Sequence, residues 1–278
     1  MKIQRGQCAL VTGASRGLGV HIARKLASRG MNLVISARST DSLEAVAAEL
    51  RSTGVKVLAV QADMSNPDDI RSLYGRAKAE FGDVDCVINN AGIELVNDYL
   101  NLSPDDIQWV VNVNLIGPML LSQLALADMY HRDSGHIVNI ASAAGYFPPP
   151  YSETYSSTKA GLIGFTHSLR LSAQLKGKKV GASVIAPGYM DDAGMYEDMK
   201  AVARKAPWYI SSLPADVLAD WVVKVIERDK PIKLLMPYIP TVYKLIQIAM
   251  PRIFEIVSPK LGIFRTLVDL AKHRSANQ

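Results

Sequence analysis

Cysteine is nearly absent from this sequence. Among 278 residues only Cys8 and Cys86 occur, each inside an apolar stretch. That excludes a small disulfide-stapled scaffold and leaves two buried thiols in a reducing compartment as the expectation. A nucleophilic cysteine needs a base and an electropositive setting, and the sequence around neither thiol supplies one. Long apolar runs are missing too. No stretch of about 18 uninterrupted apolar residues occurs, so no bilayer-spanning helix is expected. Met1–Gly6 is polar, and the run Cys8–Val11 is too short for a signal peptide. A cytoplasmic location is the resulting expectation. Charge of one sign is scarce: the net charge is +5, and no basic cluster precedes Pro237. That pattern gives no nucleic-acid signal. Repeats, low-complexity tracts and interdomain linkers are lacking, and no metal site is expected.

What remains is alternation. Short apolar runs at Cys8–Val11, Leu33–Ala37, Val57–Val60, Cys86–Ile88, His136–Ile140 and Ala182–Ile185 predict buried strands, with a final one near Ile232–Met236. Amphipathic stretches predict helices over Leu18–Ser28, Asp41–Thr53, Pro67–Phe81, Pro104–Tyr130 and Tyr151–Leu175. Ser103 with Asp106 fits a capping box, Pro104 fits the first helical position, and Asn66–Pro67 opens another helix in the same way. Asp41, with Glu44 three residues on, fits a helix N-cap. Near-continuous apolar strands alternating with helices predict an α/β fold. The expectation is a single doubly wound parallel-sheet (Rossmann-like) domain over residues 1–236.

Thr12-Gly13-Ala14-Ser15-Arg16-Gly17-Leu18-Gly19 joins the first strand to the first helix. Glycines there permit positive φ and let the backbone approach a pyrophosphate, and the helix N-terminus behind them adds amide donors. The spacing G-x-x-x-G-x-G differs from the G-x-G-x-x-G fingerprint. The second strand ends Ser36-Ala37-Arg38, without the carboxylate that would bind the ribose 2′-hydroxyl of NAD. Arg38 and Arg16 would flank a 2′-phosphate instead, which selects NADP(H).

Tyr155 and Lys159 lie four apart on a predicted helix, hence on one face. An ammonium beside a phenol favours the phenolate and is expected to lower its pKa towards working pH. A tyrosine so tuned protonates a ketone or deprotonates an alcohol. Ser142, near the end of the preceding strand, faces the same crevice and can hold the substrate oxygen.

These residues make the chain resemble the short-chain dehydrogenase/reductase family. Thr12–Gly19 matches its T-G-x-x-x-G-x-G turn, and Asn89-Asn90-Ala91-Gly92 its N-N-A-G motif. Asn114 matches its catalytic asparagine, and Ser142, Tyr155 and Lys159 its S…Y-x-x-x-K set. Asp63 matches the adenine-contacting aspartate, and Pro187-Gly188 its P-G turn. The likeness spans about Gln7 to Pro237. It implies that Tyr155 is the general acid/base, that Lys159 lowers its pKa and bonds the nicotinamide ribose, and that Ser142 stabilises the substrate oxygen. It also implies that Asn114 kinks its helix, so that its backbone carbonyl holds a water linking Lys159 to solvent; the residue alone would read as an exposed polar group, like Asn112. One departure is Asp192, which stands where family members often carry a threonine that bonds the carboxamide.

The expected function is NADP(H)-dependent hydride transfer between nicotinamide and a carbonyl or alcohol, in a carbonyl reductase or alcohol dehydrogenase. The alternatives are a nucleotide-sensing member of the fold without catalysis and a membrane-surface scaffold. Met190, Met195, Tyr196, Met199, Trp208 and Tyr209, between Gly188 and Pro214, suggest an adaptable lining for an apolar, lipid-like small-molecule substrate. Residues 237–278 form a short helical extension with six basic and two acidic residues, a net +4. Its apolar–basic pattern suits a peripheral membrane contact or, equally, packing over the substrate mouth. A homo-oligomer is expected from the family likeness.

Overall fold

The computed structural model describes residues 1–191, 193, 212–235, 252, 256, 260 and 264–275. Seven parallel strands form one sheet in the order β3-β2-β1-β4-β5-β6-β7. They are β1 (Cys8–Thr12), β2 (Asn32–Ala37), β3 (Val57–Gln61), β4 (Cys86–Asn89), β5 (Gly135–Ile140), β6 (Val180–Pro187) and β7 (Ile232–Leu235). Register is close along the centre: Leu10 lies between Val34 of β2 and Val87 of β4. Strands buried on both faces explain the continuous apolar runs, because each side chain, up or down, meets a helix layer. The chain order reverses between β1 and β4, and the carboxyl ends of those strands open the crevice where ligands bind in such sheets.

Helices α1 (Leu18–Ser28), α2 (Thr40–Arg51), α3 (Pro67–Phe81), α4 (Pro104–Val111), α5 (Gly117–His131), α6 (Glu153–Leu175) and α7 (Ala215–Glu227) cover the two faces. One face buries Ile22 and Leu26 of α1, Leu43 of α2 and Leu218 and Val222 of α7 against Val11, Ile35 and Ile88. The other buries Ile70 and Leu73 of α3 and Leu121 and Met129 of α5 against Leu10, Val34 and Ile137. The starts follow their caps. Ser103 and Asp106 complete a reciprocal capping box, and the Asn66 side chain accepts from the Asp68 amide.

Two expectations need correction. Asp41 is not an N-cap: Ser39 keeps extended backbone angles and holds that place, while Asp41 lies in the first turn of α2, where its charge suits the helix dipole. The single helix expected over Pro104–Tyr130 is interrupted by a π-helical segment, Asn112–Ile116. Read through, Pro104–His131 is long and apolar enough to cross a membrane by composition. Val110, Val113, Leu121, Ala125 and Met129 are nevertheless buried in the domain, as in an interior helix of a globular core. Helix α7 was not anticipated from the sequence.

His136, at the far end of β5, is fully buried, and burial lowers its pKa to about 3. Ser183 Oγ donates to the Lys230 carbonyl at 2.5 Å, so the imidazole Nε2, 2.8 Å from that hydroxyl, donates to it and the ring is neutral. An unfolded histidine titrates near 6.5. The unfolded chain therefore takes up a proton that the fold refuses. This contribution to stability is complete above that value and is lost as pH falls towards the folded pKa. From pH 7 to 5 the expected loss is about 2 kcal/mol. Urea unfolding at both pH values, compared with His136→Gln, checks this: the variant should lose about that much less, and an equal loss in both would refute it.

Candidate active site

The glycine turn is built for close approach. Gly13 has φ +67°, and a Cβ there would lie 2.8 Å from the Ala91 Cα; one on Gly19 would lie 2.2 Å from the Gly13 carbonyl oxygen. Only glycine fits either place. Asn90 stitches the turn to the end of β4. Its Nδ2 donates to the carbonyls of Thr12 and Gly13 at 2.9 and 3.1 Å, while Thr12 Oγ1 accepts from the amides of Asn90 and Ala91, both at 3.0 Å. Ser15, Arg16, Gly17 and Leu18 follow at the start of α1, whose N-cap is Gly17. Arg16 and Arg38 are both exposed at this end of the sheet. The Arg38 guanidinium lies over the Trp109 ring, 5.4 Å from its centroid. Asp63 Oδ1 accepts from the Ser65 amide and hydroxyl, both at 2.8 Å, which fixes the turn after β3.

The reacting groups converge beside the turn. Ser142 caps a short helical turn after β5, its Oγ accepting from the Ala144 amide at 3.1 Å, and its hydroxyl lies near enough to the Tyr155 phenol to favour the phenolate. Tyr155 and Lys159 are both buried on α6. Lys159 Nζ lies 5.6 Å from the centre of the Tyr155 ring and donates to the Ile140 carbonyl at 3.0 Å. Gly92 passes close above: a Cβ there would meet Lys159 Nζ at 3.3 Å and Asn114 Oδ1 at 3.4 Å.

Asn114 sits in the π-helical segment Asn112–Ile116. Its side chain is fully buried, not exposed as the bare residue suggested. Oδ1 accepts from the Ile93 amide at 2.9 Å, and Nδ2 donates to the Ile93 carbonyl at 2.8 Å and to Thr158 Oγ1 at 3.3 Å. It therefore clamps the loop after β4 onto α6 at Thr158, the residue before the lysine. Asn112 only accepts from Gln108 Nε2 on its own helix, at 3.0 Å.

The expected lowering of the Tyr155 pKa is not found. Burial dominates and raises it, the Glu94 charge raises it further, and the Ser142 hydroxyl offsets only part. Burial pulls the Lys159 ammonium down to about 8, against the opposing pull of Glu94. The lysine, rather than the phenol, is thus poised near working pH.

Three contributors escaped the sequence reading. Glu94, two residues past Gly92, receives a hydrogen bond from Ser152 Oγ, and burial raises its pKa. Trp109 meets the Arg38 guanidinium. Asn89 Nδ2 donates to Asn139 Oδ1 at 2.7 Å, and Asn139 Nδ2 to Thr166 Oγ1 at 2.8 Å, which ties β4, β5 and α6 together beneath the site. The motif at Asn89–Gly92 was the one available signal for the last of these. The Gly188 amide donates to the Leu235 carbonyl at 2.8 Å, anchoring the turn after Pro187. Asp192, Met195, Tyr196, Met199, Trp208 and Tyr209 lie outside the described residues, as does most of 237–278. A 440 Å³ cleft lined by Gly145, Pro148, Glu153, Ser156 and Ala160 contains none of the catalytic set.

A glycine cradle at the sheet's crossover, with Ser142, Tyr155 and Lys159 beside it, defines a nucleotide-binding oxidoreductase. The sequence model described as short chain dehydrogenase matches residues 7–203. A ketoacyl reductase, HetN, of Nostoc sp. is 40% identical over 223 residues, covering 80% of this chain and 76% of that protein. A 3-oxoacyl-[acyl-carrier-protein] reductase of Synechocystis sp. is 38% identical over 185 residues, covering 66% and 74%. A metagenomic short-chain oxidoreductase solved in complex with NADP superposes with a TM-score of 0.71 at 30% identity, over 84% of this chain and 98% of that one. The chain belongs to the short-chain dehydrogenase/reductase family.

Proposed function

We propose that this protein is an NADP(H)-dependent reductase of 3-oxoacyl thioesters or similar lipid-like carbonyl compounds. The observation that carries the reading is Tyr155 and Lys159 buried on one face of α6, with Ser142 acting on the phenol, beside the glycine turn. The names of the ketoacyl and 3-oxoacyl reductase relatives support the substrate class. The cradle at Gly13, Gly17 and Gly19 fits a pyrophosphate, and Arg16 with Arg38 fits a 2′-phosphate. Bound there, the nicotinamide supplies or takes the hydride.

The chain's own residues do the rest. Ser142 and Tyr155 hydroxyls orient the carbonyl oxygen. As the carbonyl carbon gains hydride, Tyr155 gives its proton to that oxygen and an alcohol forms. Lys159, with a pKa of about 8, is protonated at neutral pH and restores the tyrosine's proton. The raised pKa of Tyr155 keeps the phenol in its donor form, which favours reduction. Asn114 holds Gly92 and Ile93 against α6 so that the lysine keeps its place. The test is NADPH oxidation with 3-oxoacyl thioesters of increasing chain length; no consumption across such a series, with NADPH still bound, overturns the reading.

Cofactor preference follows from the same residues. NADPH should bind at least about tenfold tighter than NADH, which needs only about 1.4 kcal/mol of phosphate recognition. Arg38→Ala should erode that preference and leave NADH affinity largely unchanged. Calorimetric titration decides it, and equal affinities in the natural chain would contradict the proposal.

A further inference from the structure

The described end of the extension is a helix, α8 (Arg265–Ser275), and it lies on the loops around Tyr155. Leu267, Leu270 and Ala271 are buried with Val96, and Tyr151 and Tyr189 pack against the same cluster. Each of these three contacts comes from a different loop at the carboxyl end of the sheet. Val96 follows β4, Tyr151 precedes Tyr155 by one helical turn, and Tyr189 follows the Pro187-Gly188 turn after β6. Arg274 Nη1 adds a hydrogen bond to the Val96 carbonyl at 3.0 Å.

The loops are themselves braced for this contact. Tyr151 holds φ +66°, a left-handed conformation that a non-glycine residue keeps only where its surroundings hold it there. Its carbonyl accepts from the Asn97 amide at 3.2 Å, and its amide donates to Glu153 Oε1 at 3.1 Å. Glu94 stands on the Val96 loop, with Ser152 bonded to it and the charges of Lys159 and Arg274 acting on its carboxylate. One short stretch thus touches both the reacting groups and the last helix.

We infer that α8 is a wall of the substrate chamber, latched by Arg274, and that it selects substrates by limiting the bulk admitted beside the carbonyl. The inference rests on the oxidoreductase reading for its chemistry but not for its geometry. Loosening the wall should favour bulky substrates over compact ones, because the helix packs on Val96, Tyr151 and Tyr189, in the loops that follow β4, lead into α6 and follow β6. The restraint acts on the substrate side only, since the glycine turn and β1–β3 make no part of this cluster.

The test uses the full chain with Leu270→Ala, which removes packing, and Arg274→Gln, which removes the latch at the helix end together with the charge acting on Glu94. Two quantities are compared between a compact and a branched carbonyl/alcohol pair: kcat/KM with NADPH, and calorimetric Kd of the alcohols on the NADP-loaded chain. In at least one folded variant the bulky-to-compact ratio should rise about tenfold or more, the scale of about 1.4 kcal/mol, with NADPH affinity within twofold. An unchanged Kd ratio in both variants, with unfolding midpoints near that of the natural chain, overturns the wall. Alcohol binding that shifts as expected while no carbonyl is reduced overturns the oxidoreductase reading and leaves the wall standing.

Discussion

Tyr155→Phe is expected to lower kcat for carbonyl reduction by at least about 10²-fold, the lower end for loss of a general acid. The substitution keeps the ring in its buried place on α6 and removes only the phenol hydroxyl. NADPH affinity should stay within about twofold, because the proposed cofactor recognition rests mainly on the glycine turn and the arginines. In the natural chain kcat/KM for reduction should fall as pH rises through about 8, where Lys159 gives up its proton. The sign follows from the group: a lysine with a lowered pKa is charged below that value and neutral above it. Stopped-flow turnover at fixed pH, with a pH series on the natural chain, measures both. Near-normal turnover in the phenylalanine variant would remove Tyr155 from its role.

Gly19→Ala carries the second large effect, on binding rather than chemistry. The new Cβ would stand 2.2 Å from the Gly13 oxygen, 2.8 Å from the Ala14 Cα and 2.8 Å from Asn90 Nδ2. Two of these neighbours are backbone, so relief requires the turn to open or α1 to shift. Either movement spoils the cradle and the Asn90 bonds that hold it. Overpacking of this kind costs about 1–3 kcal/mol, and NADPH affinity should drop by about tenfold to a hundredfold. Calorimetry on the folded variant reports it. An unchanged Kd would show that the turn does not approach the nucleotide as closely as the glycines allow.

Much of the site was legible because its parts are local. Gly13–Gly19 join a strand to a helix, Tyr155 and Lys159 share one helical face, and Arg38 ends a strand without a carboxylate. Each is a relation between neighbours in the chain, fixed by helix or strand geometry. Helix starts at Asn66 and Ser103 were legible for the same reason. The start of α2 was less so. Asp41 carries the chemistry of a cap, and the extended backbone angles at Ser39 settled which residue takes the place.

The misreadings come from groups whose meaning depends on distant neighbours. Asn114 looks like an exposed polar residue until Ile93 and Thr158 supply its partners. The phenol was expected to feel Lys159 above all. In the fold, burial outweighs that charge and Glu94, sixty-one residues away in sequence, pushes in the opposite direction. Nothing in the run Ile93-Glu94-Leu95 announces a carboxylate facing a catalytic pair.

By itself, then, the sequence determined the alternation of strands and helices, the parallel sheet, the glycine turn between β1 and α1, and the placing of Tyr155 and Lys159 on one helical face. Periodicity, backbone permissiveness and charge at a strand tip act over a few residues and need no partner. Only the tertiary structure decided the protonation balance between Tyr155 and Lys159, the clamp made by Asn114, and the docking of residues 265–275 on the loops that frame the catalytic tyrosine. Those depend on desolvation and on contacts between segments up to 178 residues apart, as from Val96 to Arg274, and a linear pattern does not carry such distances.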